Sequence, residues 1–373
     1  MVDRSVAWVS QVERGVRKVD RMSVLEALAA ALGVPLTELA AEAPIVASVI
    51  EEPPGASGLR LVLSGAYALR TMLDGRRAPA ISTLRAKARK AWELTHAGRY
   101  TELTDLLRGL IPALETASRA VPEGQRAEVS ELLATTYQAC SAALAKLGEP
   151  EAAWIASDRA MAAAERAGNP MLVAAGAFRL VFVFINARHY DQAEETARTT
   201  AEALWPMADQ GDPRAMSLWG ALTLQRAVIA AHVNDPDTAY GQLERASQIA
   251  VRLGEGHDEY DTEFGPANVR LYEIAVAVEL GDAGRALRAA ADVDTTGLSA
   301  ERQARMLIDV ARAHAQRRQV REAVAALVQA EAITPEQVRG HALVRQLVSD
   351  LFAMQDPPAT ELRDLAKRLA ARA

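Results

Sequence analysis

The segment GEGHDEYDTEFGPAN, residues 254–268, gathers His257, Asp258, Glu259, Asp261 and Glu263 within seven positions. Carboxylates and an imidazole together can hold a divalent cation or share proton-transfer work. Their spacing follows no regular metal loop, and only one nitrogen ligand is on offer. The sequence therefore predicts a solvated acidic loop that closes over a groove, with no metal and with Phe264 and Pro266 opening the next helix.

Elsewhere the reactive residue types are dispersed. His96, His189, His232, His257, His314 and His341 share no spacing, and there is no HExxH, CxxC, nucleophile elbow or Gly-rich phosphate loop. The single cysteine, Cys140, sits in the apolar run YQACSAALAKL and reads as a buried, inert thiol of a reducing cytoplasm. No enzyme and no cofactor are expected.

Arg179 is the one charge inside the apolar run MLVAAGAFRLVFVFINA (171–187), which is too short and too interrupted for a membrane span. Burying it unpaired would be costly. It either pairs internally, with Asp309 or Glu273, or faces a groove that accepts an anion.

These residues must be held by helices. Half of the chain is hydrophobic but only 5% is aromatic, and the net charge is −6 over 373 residues. Such an Ala-, Leu- and Val-rich composition suits packed helices, and any nucleic-acid contact must come from a local basic patch. An internal repeat organises the body. Polar turns stand at Gly98, Gly148, Arg188, Asn234, Gly281 and Arg318. Five residues on come Leu103, Ala153, Ala193, Ala239, Ala286 and Ala323, and seven further Leu110, Ala160, Thr200, Ala246, Val293 and Ala330. Positions seven apart share a helix face, so modest side chains there let antiparallel helices approach.

This grammar resembles the tetratricopeptide repeat over residues 81–355. The unit QRRQVREAVAALVQAEAITPEQV matches best, with Pro335 in the closing position, while the family's aromatic positions are largely absent. The resemblance implies an α-solenoid whose first helices line a concave groove. Aligning those helices on their turns places Ala139, Arg179, Gln225, Tyr272 and Asp309 in one row, and Thr135, Ala175, Ala221, Asn268 and Arg305 in another. The candidate effector residues are Arg179, Asn186, Gln225, Asn268, Tyr272, Arg305, Asp309 and Arg312, for a small anionic ligand or a peptide carboxylate. The charge-rich amphipathic segment 359–373 is expected to cap the array.

Residues 5–39 resemble the second half of an Xre-type, lambda-repressor-like helix-turn-helix. Ser5 takes the place of the helix cap, VAWVSQVER that of the recognition helix, and Gly15 that of its left-handed stop. SVLEALAAALGVPLTEL follows with the family's Gly33-Val34-Pro35 corner. By position, Val6, Ala7, Ser10 and Gln11 would face bases, Gln11 making a bidentate contact to adenine. Arg14, Arg17, Lys18 and Arg21 would contact phosphates. Residues 1–21 hold five cations against three carboxylates, which agrees with that role. The family's first helix and nearly all of its second have no counterpart, which leaves three explanations: the natural chain extends upstream of Met1, the one favoured; the DNA-binding function is degenerate; or the stub contacts the repeat domain or a partner subunit.

The expected architecture is therefore all-α: a partial helix-turn-helix (1–40), a Pro-containing linker (41–58) and a tetratricopeptide-like solenoid (59–373). The resemblance implies a cytoplasmic, homodimeric transcription regulator that binds operator DNA and answers to an effector. An Ala-, Arg- and Val-rich composition fits high-GC bacteria such as actinomycetes. The alternative is a tetratricopeptide-like scaffold that binds a peptide or protein and no DNA.

Overall fold

A computed structural model of the chain describes residues 6–13, 28–29, 31–32, 56–64, 79–355 and 358–370. Those residues are all-α, with seventeen α-helices and no strand. Two helices precede the main body, α1 (Val6–Glu13) and α2 (Ala56–Val62). Six consecutive antiparallel pairs follow: α3 (Ile81–His96) with α4 (Tyr100–Ala120), α5 (Glu123–Lys146) with α6 (Pro150–Ala167), α7 (Pro170–Asn186) with α8 (Tyr190–Asp209), α9 (Pro213–His232) with α10 (Pro236–Leu253), α11 (Pro266–Glu279) with α12 (Ala283–Ala291), and α13 (Ala300–Gln316) with α14 (Val320–Ile333). Three closing helices are α15 (Pro335–Gly340), α16 (Ala342–Met354) and α17 (Thr360–Ala370).

All six turns are built alike. Gly98, Gly148, Arg188, Asn234, Gly281 and Arg318 each adopt a positive φ, between 59° and 81°. In each case the following residue donates its N–H to the carbonyl five positions back, as Asp235 does to Ala230 and Gln319 to His314. That bond satisfies an otherwise orphaned carbonyl and stops the helix, and the same residue then starts the next one. Three of the six turns use non-glycine residues in the left-handed region, at roughly 1–2 kcal/mol each. Helix starts are equally explicit: Asn169, Asp212, Asp235, Asp282 and Ser299 accept backbone N–H bonds from the first turn, and three of these five helices open with proline.

The small-residue rule holds where the helices touch. Leu103, Ala153, Ala193, Ala239, Ala286 and Ala323 are all fully buried, as are Leu110, Ala160, Ala246 and Ala330. Two positions depart from the pattern. Thr200 is half-buried, and Val293 falls beyond the end of α12, because that helix stops at Ala291. Cys140 is fully buried, and desolvation pushes its thiol up to about 12.

The array closes on itself. Inner helix α13 packs against inner helix α3, and Glu336 of α15 accepts bonds from the Thr101 backbone N–H (2.8 Å) and hydroxyl (3.0 Å). Lys146, at the end of α5, pairs with Glu301 of α13 at 2.9 Å. Helix α17 lies over α14 and α15, burying Leu362 and Leu365. Helix α2 lies across α4 and α5 with Ala56 and Leu59 fully buried. Its start at Ala56 corrects the predicted linker, whose last three residues belong to this helix; the other linker residues lie outside the described ones.

Candidate effector site inside the closed superhelix

The inner helices α3, α5, α7, α9, α11 and α13 surround an interior, and the loop between α10 and α11 enters it. This corrects in part the expectation of a solvated loop: Thr262 and Phe264 are buried, while Glu255, Gly256 and Asp258 are exposed. Phe264 is buried over Gly220 of α9, where a side chain of any kind would collide with the ring. Ser217 of α9 donates to Glu259 at 2.9 Å, and His257 sits 2.9 Å from the same carboxylate. Glu263 accepts from the Ser299 N–H and hydroxyl, both at 3.0 Å, and from Arg302 at 3.3 Å. It also lies 3.9 Å from His96 at the end of α3. Tyr260, Asp261 and Glu263 all have positive φ. Three non-glycine residues in that region carry strain of order 1–3 kcal/mol each, so these contacts must hold the loop in place.

Arg179 is the centre of this anchorage. Its guanidinium donates to the carbonyls of Tyr260 (2.9 Å) and Asp261 (2.8 Å) and stacks on Trp92 (4.6 Å) and Phe178 (4.8 Å). Neither Asp309 nor Glu273 is its partner. Asp309 is bonded to Arg305 and Arg312, and Glu273 to Arg270 and Arg285. The groove that Arg179 faces is filled by the chain itself, with backbone carbonyls in place of an external anion.

The remaining candidates, Asn268 apart, are also tied down. Arg312 bridges Asp309 and Glu279, which His232 approaches at 3.0 Å. Gln225 donates to the Tyr272 hydroxyl at 2.8 Å, and Asn186 to the Ala145 carbonyl at 3.2 Å. Asn268 is buried, and its Oδ1 has no hydrogen-bond partner among the described residues. Arg305, Asp309 and Arg312 thus form a ladder along α13, separate from the Arg179 contacts.

Burial sets the electrostatics. Desolvation lifts the Asp261 carboxyl to about 7 and Asp258 to about 6, and Arg179 only partly offsets it. Desolvation also lowers His96 to about 4, opposed by Glu263 and reinforced by Lys146 and Arg179. For Glu263 and Glu301 burial acts upward but neighbouring cations win: Arg302 and His96 hold Glu263 down, and Lys146 and Arg302 bring Glu301 to about 2. His96, Asp258 and Asp261 place one ligand atom each within 4.8 Å of one another. Arg179, Arg302 and Lys146 crowd the same space with positive charge, so the cluster is self-neutralising rather than starved of a cation.

At the other end of the chain, Gln11 does not face solvent. Its amide is buried and donates to the Gly281 carbonyl at 2.6 Å. In this arrangement it is not available to read a base. Ser10 is half-buried; Val6 and Ala7 lie in the first turn of α1; Arg14, Arg17, Lys18 and Arg21 lie outside the described residues. Trp92, Lys146, Glu301 and Arg302 carried no signal in sequence, since each lies on an ordinary helix and gains its role only from closure.

No protein-family model matches the chain, and a search of curated proteins finds no significant match. No described helix is long and apolar enough to cross a membrane.

Proposed function

We propose that this protein is a transcription regulator whose Xre-type helix α1 reads DNA and whose tetratricopeptide-like solenoid controls it. The observation that carries this reading is the docking of Gln11 on Gly281. The residue that the helix-turn-helix resemblance places against a base is instead held by the fifth repeat turn. A reading head bound to the sensor by its own base-facing side chain is a held-back state, and any effector that loosens the fifth pair would release it.

The test is fluorescence-anisotropy titration of the chain onto its own promoter DNA across a salt series. The reading predicts sequence-selective binding that weakens as salt rises, the slope reporting phosphate contacts. Gln11→Ala then loses base selectivity while keeping the salt dependence. A second reading is a tetratricopeptide-like interaction protein without DNA contacts, favoured by the same burial of Gln11 and by the net charge of −6. It requires that no DNA sequence bind selectively at any salt concentration.

A further inference from the structure

A cleft of about 720 Å³ opens between α2, α4, α5 and α6, away from the loop-filled interior. Arg119, Arg126, Arg159 and Arg166 line it, against a single carboxylate, Glu115. In a protein of net charge −6, this wall is strongly cationic. Glu115 is already committed: it accepts from the Tyr137 hydroxyl at 3.1 Å and from Arg119 at 3.2 Å. Arg126, Arg159 and Arg166 form no ion pair with a described carboxylate, and Arg159 rests over the Tyr137 ring at 5.8 Å.

We infer that this cleft binds a small polyanion. Its volume is that of a small-molecule site, generally about 300–1,000 Å³. Guanidinium groups recognise phosphate and carboxylate through paired N–H donors, and they keep their charge at any physiological pH. Arg159 and Arg166 stand seven residues apart on α6, two helical turns or about 10 Å along one wall. Arg119 and Arg126 flank the α4–α5 junction on the other side. Uncommitted guanidinium groups on two walls, Arg126 on one and Arg159 with Arg166 on the other, suit a ligand with at least two anionic groups better than a single monoanion.

The cleft also touches the helix that precedes the first pair. Val62 and Ser64, at the end of α2, line it. Arg60 of the same helix pairs with Glu149 at 3.2 Å. A bound polyanion would therefore hold the C-terminal end of α2, the helix that stands between α1 and the first pair in the chain. That consequence for DNA rests on the proposed function; binding itself does not.

The test is isothermal titration of the full chain with tripolyphosphate and, separately, with citrate, at low salt. Saturable one-to-one binding of either, weakened at least tenfold in R126Q/R166Q, supports the site, and the better probe identifies the anionic group. Both residues are exposed, so this variant should fold, and an unchanged circular dichroism melt checks it. A second variant, R198Q, removes an arginine on α8 remote from the cleft and should bind as the parent does. Absence of saturable binding by both probes, or equal affinity in R126Q/R166Q, overturns the inference whatever the outcome of the DNA experiment.

Discussion

Gly220 and Phe264 are in van der Waals contact across the interior, the aromatic ring occupying the space that a Cβ at position 220 would need. The glycine is helical and mid-α9, so its cost in backbone entropy, about 1 kcal/mol relative to alanine, is offset only by what it admits. What it admits is the loop.

Replacing Gly220 with valine should therefore expel the ring. Overpacking costs typically about 1–3 kcal/mol, more than the small gain in helix propensity returns. We expect a lower thermal midpoint and new protease cleavage within residues 254–265. A variant that melts like the parent and resists cleavage would show that Phe264 does not anchor the loop.

Arg179→Lys should release the same loop by a different route. An ammonium keeps the buried charge but cannot bridge two carbonyls while stacking on Trp92 and Phe178. Hydrogen bonds from a charged donor contribute roughly 1.5–3 kcal/mol, so a loss of about 3 kcal/mol is expected in urea unfolding. The accompanying signature is faster amide exchange at residues 258–263; full stability and protection in the lysine variant would contradict the assignment.

Desolvation of Asp261 and of His341 pulls stability in opposite directions with pH. Asp261, raised to about 7, takes up a proton on folding; its contribution is full below the unfolded carboxyl pKa and is lost as pH rises from about 4 through 7. His341, lowered to about 3 chiefly by desolvation and by Arg305, excludes a proton that the unfolded chain accepts. Its contribution is intact above about 6.5 and falls away as pH drops toward 3. Asp261→Asn should thus be more stable than the parent at pH 8, with the difference closing by pH 4. Urea midpoints measured across that range decide it, and a constant offset would mean that Asp261 is not desolvated.

Gly281→Ala acts at the junction of the two parts of the molecule. The residue has φ +81°, and its new methyl would meet the Gln11 amide. The backbone strain, of order 1–3 kcal/mol, and the displaced amide should together undock α1. Hydrogen exchange at residues 6–13 should accelerate. If docking holds the reading head back, affinity for promoter DNA should rise at constant salt; a fall or no change would disconnect docking from regulation.

The turns were legible in the sequence because each is local. A left-handed stop, a capping bond and a small residue five positions on are all set within a few residues, and Asn234 or Arg318 announces its turn as plainly as Gly98 does. The partner of Arg179 was not legible. Tyr260 and Asp261 lie 81 and 82 residues away, and they contribute backbone carbonyls, which have no sequence signature. The same holds for the acidic loop, whose polar composition suggests solvent exposure. It is anchored because Ser217, Ser299 and Arg302 satisfy Glu259 and Glu263, and those partners are unremarkable on their own helices, while Glu255 and Asp258 stay exposed. The arginine cleft escaped notice for a related reason. Its four cations are scattered over 48 positions among many others and converge only when α4, α5 and α6 pack.

The bond from Thr101 to Glu336 spans 235 residues. Open solenoids can lengthen or shorten by whole units, since each added unit meets only its neighbour. Here the sixth pair is already touching the first. A duplicated pair would have no berth without prising Glu336 from Thr101 and Glu301 from Lys146, and a deleted pair would leave both unmatched. Gene duplication, the usual means by which such arrays diversify, is thus closed to this one. Its variation must come by substitution at a fixed number of repeats, in the loop the ring encloses and the cleft beside it.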